Sequence, residues 1–155
     1  MAEDLGTIGL CGNSPDGSKY IMLGSDAEEL PNLAQHEYAH SQSAGLNTGY
    51  IGYLFRGLNE AVTESVTTSP MNYTAQRQVL ERLYSSNPNL EQLCLRAYRG
   101  DPSARKKFFS SIVNEYGLGG FLALARLSPG DNDKPFGNIG VAVKHSPQKV
   151  MESIS

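Results

Sequence analysis

The spacing of hydrophobic and polar positions changes character along this chain. Two short β-prone runs come first, Thr7-Ile8-Gly9-Leu10-Cys11 and Lys19-Tyr20-Ile21-Met22-Leu23. Between them lies Gly12-Asn13-Ser14-Pro15-Asp16-Gly17-Ser18, dense in turn residues and carrying an Asp-Gly step, so the pair predicts a hairpin with a loop of several residues. Helical spacing takes over next. Ser25-Asp26-Ala27-Glu28 has the form of a capping box, and proline fits only the first turn of a helix. A helix is therefore expected to start between Glu28 and Leu30 and to run to about Ser43, with Gly45 ending it and Leu33, Ala34 and Ala44 on its core side.

An uncharged Gly/Tyr linker, 45–53, leads to a second helix, Leu58 to Thr68, which must end before Pro70. Leu58, Ala61, Val62, Ser65 and Val66 are expected on its packed sides. Helical periodicity then dominates. Thr74 to Ser85 carries Val79, Leu80, Leu83 and Tyr84, and Asn89 to Arg99 is closed by Gly100. Asp101-Pro102 opens a helix whose core side is Phe108, Phe109, Ile112, Val113 and Tyr116. Gly119 to Leu127 predicts a short apolar helix. From Pro129 the composition turns to Gly, Pro, Asn and Asp, with one β-like run at Ile139–Val143. The expectation is an α+β fold: a small β-hairpin, two helices and a mostly helical C-terminal half in a domain over 1–128. Residues 129–155 are a tail, read as a late strand or a linker.

Composition narrows the function classes. A chain of 155 residues suits one domain, and 39% hydrophobic with 19% charged residues is ordinary for a globular one. The net charge of −3 argues against a nucleic-acid or anionic-membrane surface. No apolar run approaches the roughly 20 residues that span a bilayer. Met1-Ala2-Glu3-Asp4 lacks the basic and apolar regions of a signal peptide, so the expected location is cytoplasmic. Cys11 and Cys94 are expected as free buried thiols, and Arg105-Lys106-Lys107 as a solvated helix face.

Chemistry concentrates in His36-Glu37-Tyr38-Ala39-His40. Residues i and i+4 of an α-helix lie one turn apart on one face, so both imidazoles can offer a nitrogen to one ion. Glu37 is rotated away from that face and is placed to reach a water on the ion without ligating it. The chain has three histidines, and two of them fall at this spacing. Farther on, Asn59-Glu60-Ala61-Val62-Thr63-Glu64 supplies two carboxylates at i and i+4, a like-charged pair that calls for a cation opposite. Spacing alone leaves open which of Glu60 and Glu64 completes the two-His, one-carboxylate set of a hydrolytic zinc site.

The two motifs together resemble the gluzincin metallopeptidases, the clan that includes thermolysin. Its second motif reads roughly N-E-x-x-[ST]-[DE], at about the twenty-residue separation found here between His40 and Glu60. The match covers Ser25 to about Thr68 and extends to the rest of the chain only in broad layout. It implies a zincin-like fold and one zinc held by His36, His40 and Glu60. Glu37 is then the general base, and Glu64 accepts a hydrogen bond from a ligand histidine instead of binding metal. The clan's oxyanion-stabilising Tyr or His falls outside both motifs. Tyr50 is the favoured candidate, with Tyr53 and His145 as alternatives. The resemblance also implies that the strand before the metal helix lines a substrate cleft, although the residues are equally served by a strand that only covers the helix. The expected activity is hydrolysis of peptide bonds in a peptide or protein substrate. The alternatives are a zinc-containing binding or regulatory domain without turnover, and a latent protease blocked by its own Pro129–Ser155 tail.

Overall fold

The computed structural model describes residues 9–23, 30–43, 46, 54–67, 73–129 and 145–155. Among them are one two-stranded antiparallel sheet and six helices, a mostly helical arrangement within the α+β expectation. β1 (Gly9–Asn13) pairs with β2 (Lys19–Leu23) in the register Gly9 to Leu23, Cys11 to Ile21 and Asn13 to Lys19. Asp16 closes the turn by accepting hydrogen bonds from the amide and hydroxyl of Ser18 (3.0 and 2.6 Å). Gly17 takes the positive φ of 84° that the Asp-Gly step anticipates. Of the run expected from Thr7 to Cys11, residues 9–11 are in β1, and residues 7 and 8 lie outside the described residues.

α1 (Leu30–Gln42) packs against both strands, with Pro31 in its first turn as the ring requires. The Lys19 ammonium donates to the Ser41 carbonyl and ties β2 to the end of α1. Capping residues 25–28, the stop at Gly45 and Ala44 lie outside the described residues, and Leu33 and Ala34 are half-buried.

α2 (Arg56–Ser65) begins two residues before the expected Leu58, for a reason that lies in Phe55. This residue has φ 62° and ψ 14°, a left-handed conformation uncommon for an aromatic side chain. Burial holds it there. Its ring stacks on Phe109 at 4.7 Å and meets Phe121 edge-on at 5.4 Å, while its amide donates to the Ala125 carbonyl (2.8 Å). Two residues on, a Cβ at Gly57 would run into the carbonyls of Leu127 and Ser128. The start of α2 is thus pressed directly onto the end of α5. Ser65 and Val66, expected on packed sides of α2, are exposed instead: the helix stops at Ser65, and its last turn is covered on the side of Val62, Thr63 and Glu64.

α3 (Thr74–Ser86), α4 (Asn89–Tyr98), α5 (Pro102–Ala125) and α6 (Pro147–Ser153) complete the molecule. Gly100, at φ 101°, ends the turn after α4, and Asp101 caps α5 by accepting from the Ala104 amide (3.0 Å). The two helices expected over 101–127 are the two halves of α5, separated at Gly117, whose φ of 71° and ψ of 179° are not helical. Phe108 and Ile112 are fully buried, whereas Val113 is exposed, against the expectation that it belongs to the core side. The core gathers Leu58, Val62, Val79, Leu80, Leu83, Leu90, Cys94, Phe108, Ile112, Leu124 and Val150 from α2 to α6. Cys94 is a free buried thiol, and burial pushes its pKa up to about 12. After α5 the chain returns at His145, whose backbone pairs with that of residues 126–128. α6 then packs on α3 and α5. The run 139–143 lies outside the described residues. No helix among them is long and apolar enough to cross a membrane.

Candidate metal centre

α1 and α2 bring three ligand atoms together. His36 Nε2 and His40 Nε2 lie 3.1 Å apart, and each is 3.0 Å from Glu60 Oε2. The imidazoles meet edge to face, with ring centres 4.7 Å apart and planes at 76°. Helical spacing accounts for the pair on α1. The crossing of α2, set at Phe55 and Gly57, accounts for the carboxylate.

The outer ring nitrogens decide what the inner ones can do. His36 Nδ1 donates to Glu64 Oε2 at 2.7 Å. On the other imidazole, Nδ1 lies 3.3 Å from the Thr63 hydroxyl, which also meets Tyr98 Oη (2.6 Å) and the Asn59 carbonyl (2.9 Å). When both imidazoles are neutral and carry their proton on Nδ1, both Nε2 atoms point bare lone pairs at a carboxylate oxygen. Three electron-rich atoms about 3 Å apart repel one another. Protons on the two Nε2 atoms would satisfy the carboxylate but leave two N–H groups crowded at 3.1 Å. A cation among the three removes both conflicts. Their separations are close to the roughly 3.3 Å between ligand atoms that lie about 2.0–2.1 Å from a tetrahedral zinc. His36, His40 and Glu60 are accordingly the one group among the described residues with the make-up and spacing of a metal site.

Electrostatics around the cluster follow from burial and proximity. For His36 burial pulls the pKa down, but hydrogen bonds and charge from Glu60 and Glu64 outweigh it, so the net shift is upward. Burial alone would raise Glu60, yet its two histidine partners bring it to about 2, so it stays an anion. Glu37 is buried, and its carboxyl is raised by that burial, with opposing pulls from His40 and His36.

The resemblance assigned Glu60 to the ligand set and Glu64 to the outer nitrogen of a ligand histidine, and the two carboxylates stand at those places. Tyr50 and Tyr53 lie outside the described residues. His145 sits at the end of α5 in backbone pairing with 126–128, half-buried and apart from the ligand cluster. Three further neighbours of the site were not singled out from the sequence. Tyr73, left-handed at φ 56°, stacks on His36 with ring centres 5.6 Å apart, and burial together with the charges of Glu60, Glu64 and Glu37 keeps its phenol protonated. Thr63 lies within the second motif and carried a signal in its i+3 step from Glu60. Tyr98 carried none, being 35 residues from Thr63 and the last residue of an ordinary amphipathic helix. One more contact, the Leu46 amide donating to Asn59 Oδ1 (2.9 Å), ties the segment after α1 to α2.

Comparison of the chain with family models, curated proteins and solved structures found no match.

Proposed function

We propose that this chain is a zinc-dependent metallopeptidase of gluzincin type, with a zincin-like fold and a peptide or protein as substrate. The observation that carries the reading is the convergence of His36, His40 and Glu60 from two successive helices, with Glu37 buried beside them. Two imidazoles and one carboxylate are the donor set of hydrolytic zinc, and they leave the ion one net positive charge. A bound zinc supplies Lewis-acid polarisation of a substrate carbonyl and acidification of a water. Glu37 takes the proton of the attacking water and delivers it to the departing amine, a role its raised carboxyl pKa favours. Glu64 holds the His36 ring and keeps its Nε2 free of a proton. Tyr73, with a protonated phenol, is a hydrogen-bond donor at the edge of the site.

The test uses the full chain purified without chelator. We expect about one zinc per chain and cleavage of a broad peptide library. Glu37→Gln should retain the metal and lose about 10²- to 10⁴-fold in turnover. A wild-type chain that holds zinc but cleaves nothing would reduce the reading to a metal-holding module. A chain without metal would remove both.

A further inference from the structure

We propose that Thr63, backed by Tyr98, is the positioning element that sets the tautomer of His40 and so makes α4 part of the metal site's support. The inference rests on the metal reading above and adds to it two residues, one of them outside both motifs.

Valence provides the reasoning. A threonine hydroxyl has one proton and two lone pairs. Thr63 Oγ1 has three close partners: the Asn59 carbonyl at 2.9 Å, Tyr98 Oη at 2.6 Å and His40 Nδ1 at 3.3 Å. A carbonyl can only accept, so the Thr63 proton goes to Asn59. Both lone pairs are then left for donors, and Tyr98 and His40 must supply them. His40 therefore carries its proton on Nδ1 and presents a bare Nε2 to His36 and Glu60. The opposite tautomer would put a proton on Nε2 and bar it from ligation. Thr63 is fully buried and Tyr98 nearly so, which leaves little room for water to replace either partner.

Tyr98 has a distinct part in this. Without its phenol the Asn59 carbonyl alone holds the Thr63 hydroxyl, and one hydrogen bond fewer opposes its turning the proton toward His40 Nδ1. The wrong tautomer then becomes accessible. The two ligand histidines are thus held by different means: His36 by the Glu64 anion on the same helix as Glu60, His40 by a neutral relay that ends on α4.

The experiment compares wild type, Thr63→Ser, Thr63→Val and Tyr98→Phe. Zinc affinity is read by competition with a chromophoric chelator, and the histidine tautomers by ¹⁵N NMR of the metal-free chain. In the metal-free chain we expect Nδ1–H on His40, with its bare Nε2 facing a proton on His36 Nε2 (3.1 Å) in the place of the metal. Thr63→Val should weaken zinc binding about 10- to 100-fold, Tyr98→Phe about three- to tenfold, and Thr63→Ser should restore wild-type affinity. The His36 tautomer should not change in any of them. Tyr98→Phe loses one oxygen and keeps the ring, so it carries the test if Thr63→Val does not fold. Wild-type affinity in Tyr98→Phe, or Nε2–H on His40 in the wild-type chain, would overturn the relay. A wild type that binds no zinc would sink the metal reading instead, and the His40 tautomer would still decide the relay.

Discussion

The molecule has two regions that are held together by different forces. From α2 to α6 the helices share a continuous apolar core with Leu58, Leu83, Phe108 and Leu124 at its centre. The hairpin and α1 contribute no buried apolar side chain among those described; the buried residues of α1 are His36, Glu37 and Ser41. Tyr20, Met22 and Tyr38 of this region stand exposed, Met22 and Tyr38 at 59% each. What joins α1 to α2 is the meeting of His36 and His40 with Glu60, Glu64 and Thr63. One region is an apolar core that lends Glu60, Glu64, Thr63 and Tyr98 to the site. The other, among its described side chains, is chemistry with little core, and on the proposed reading it depends on a metal ion for much of its attachment.

The largest effect expected from this contrast is confined to the core. Phe108→Ala empties a fully buried site in α5 and should cost about 3–5 kcal/mol of global stability, measured by denaturant unfolding. Zinc affinity below the transition should change by less than about threefold, since no ligand touches that ring. A large loss of affinity would mean that the two regions are one cooperative unit.

Metal removal should do the reverse. A ligand present at about 100 to 1,000 times its Kd stabilises what it binds by about 2.7–4.1 kcal/mol. Chelation should therefore speed amide exchange across 30–43 about 100- to 1,000-fold and leave α3 to α5 unchanged. Uniform acceleration would break the comparison.

A smaller effect comes from pH, and its sign differs between the two forms. In the metal-free chain the His36 pKa is raised, so its contribution to holding α1 is complete below about 6.5 and fades as pH climbs through the raised value. Glu60 is depressed to about 2, so its contribution is complete above about 4.5 and fades as pH falls toward 2. Protection of the α1 amides in the chelated protein, taken relative to the intrinsic exchange rate at each pH, should be about two- to fivefold greater at mildly acidic than at mildly alkaline pH. Zinc affinity should move the opposite way, because a protonated imidazole cannot ligate. Parallel trends in the two forms would argue that the imidazoles are not the ligands.

Much of this was legible in the sequence, because the decisive relations are local. The His36 and His40 pair, the stacked Glu60 and Glu64 and the Asp101 cap follow from helical spacing and end preferences that act over three or four residues. Tertiary relations were not legible. Nothing around Phe55 announces a left-handed residue, since the aromatic contacts that hold it come from Phe109 and Phe121, more than fifty residues later. Val66 and Val113 read as core by periodicity and stand in solvent, because whether a helix face is covered depends on neighbours that a one-dimensional pattern does not contain. Tyr98 was hidden for the same reason.

Gly57 carries a consequence for how the centre is assembled during synthesis. Both ligand motifs are complete once residue 64 has been made. Yet the first turn of α2 has its resting place against the carbonyls of residues 127 and 128. Until those residues leave the ribosome, Glu60 has no seat from which to face the histidines. A nascent chain stalled short of that point should bind zinc only weakly, however complete its motifs.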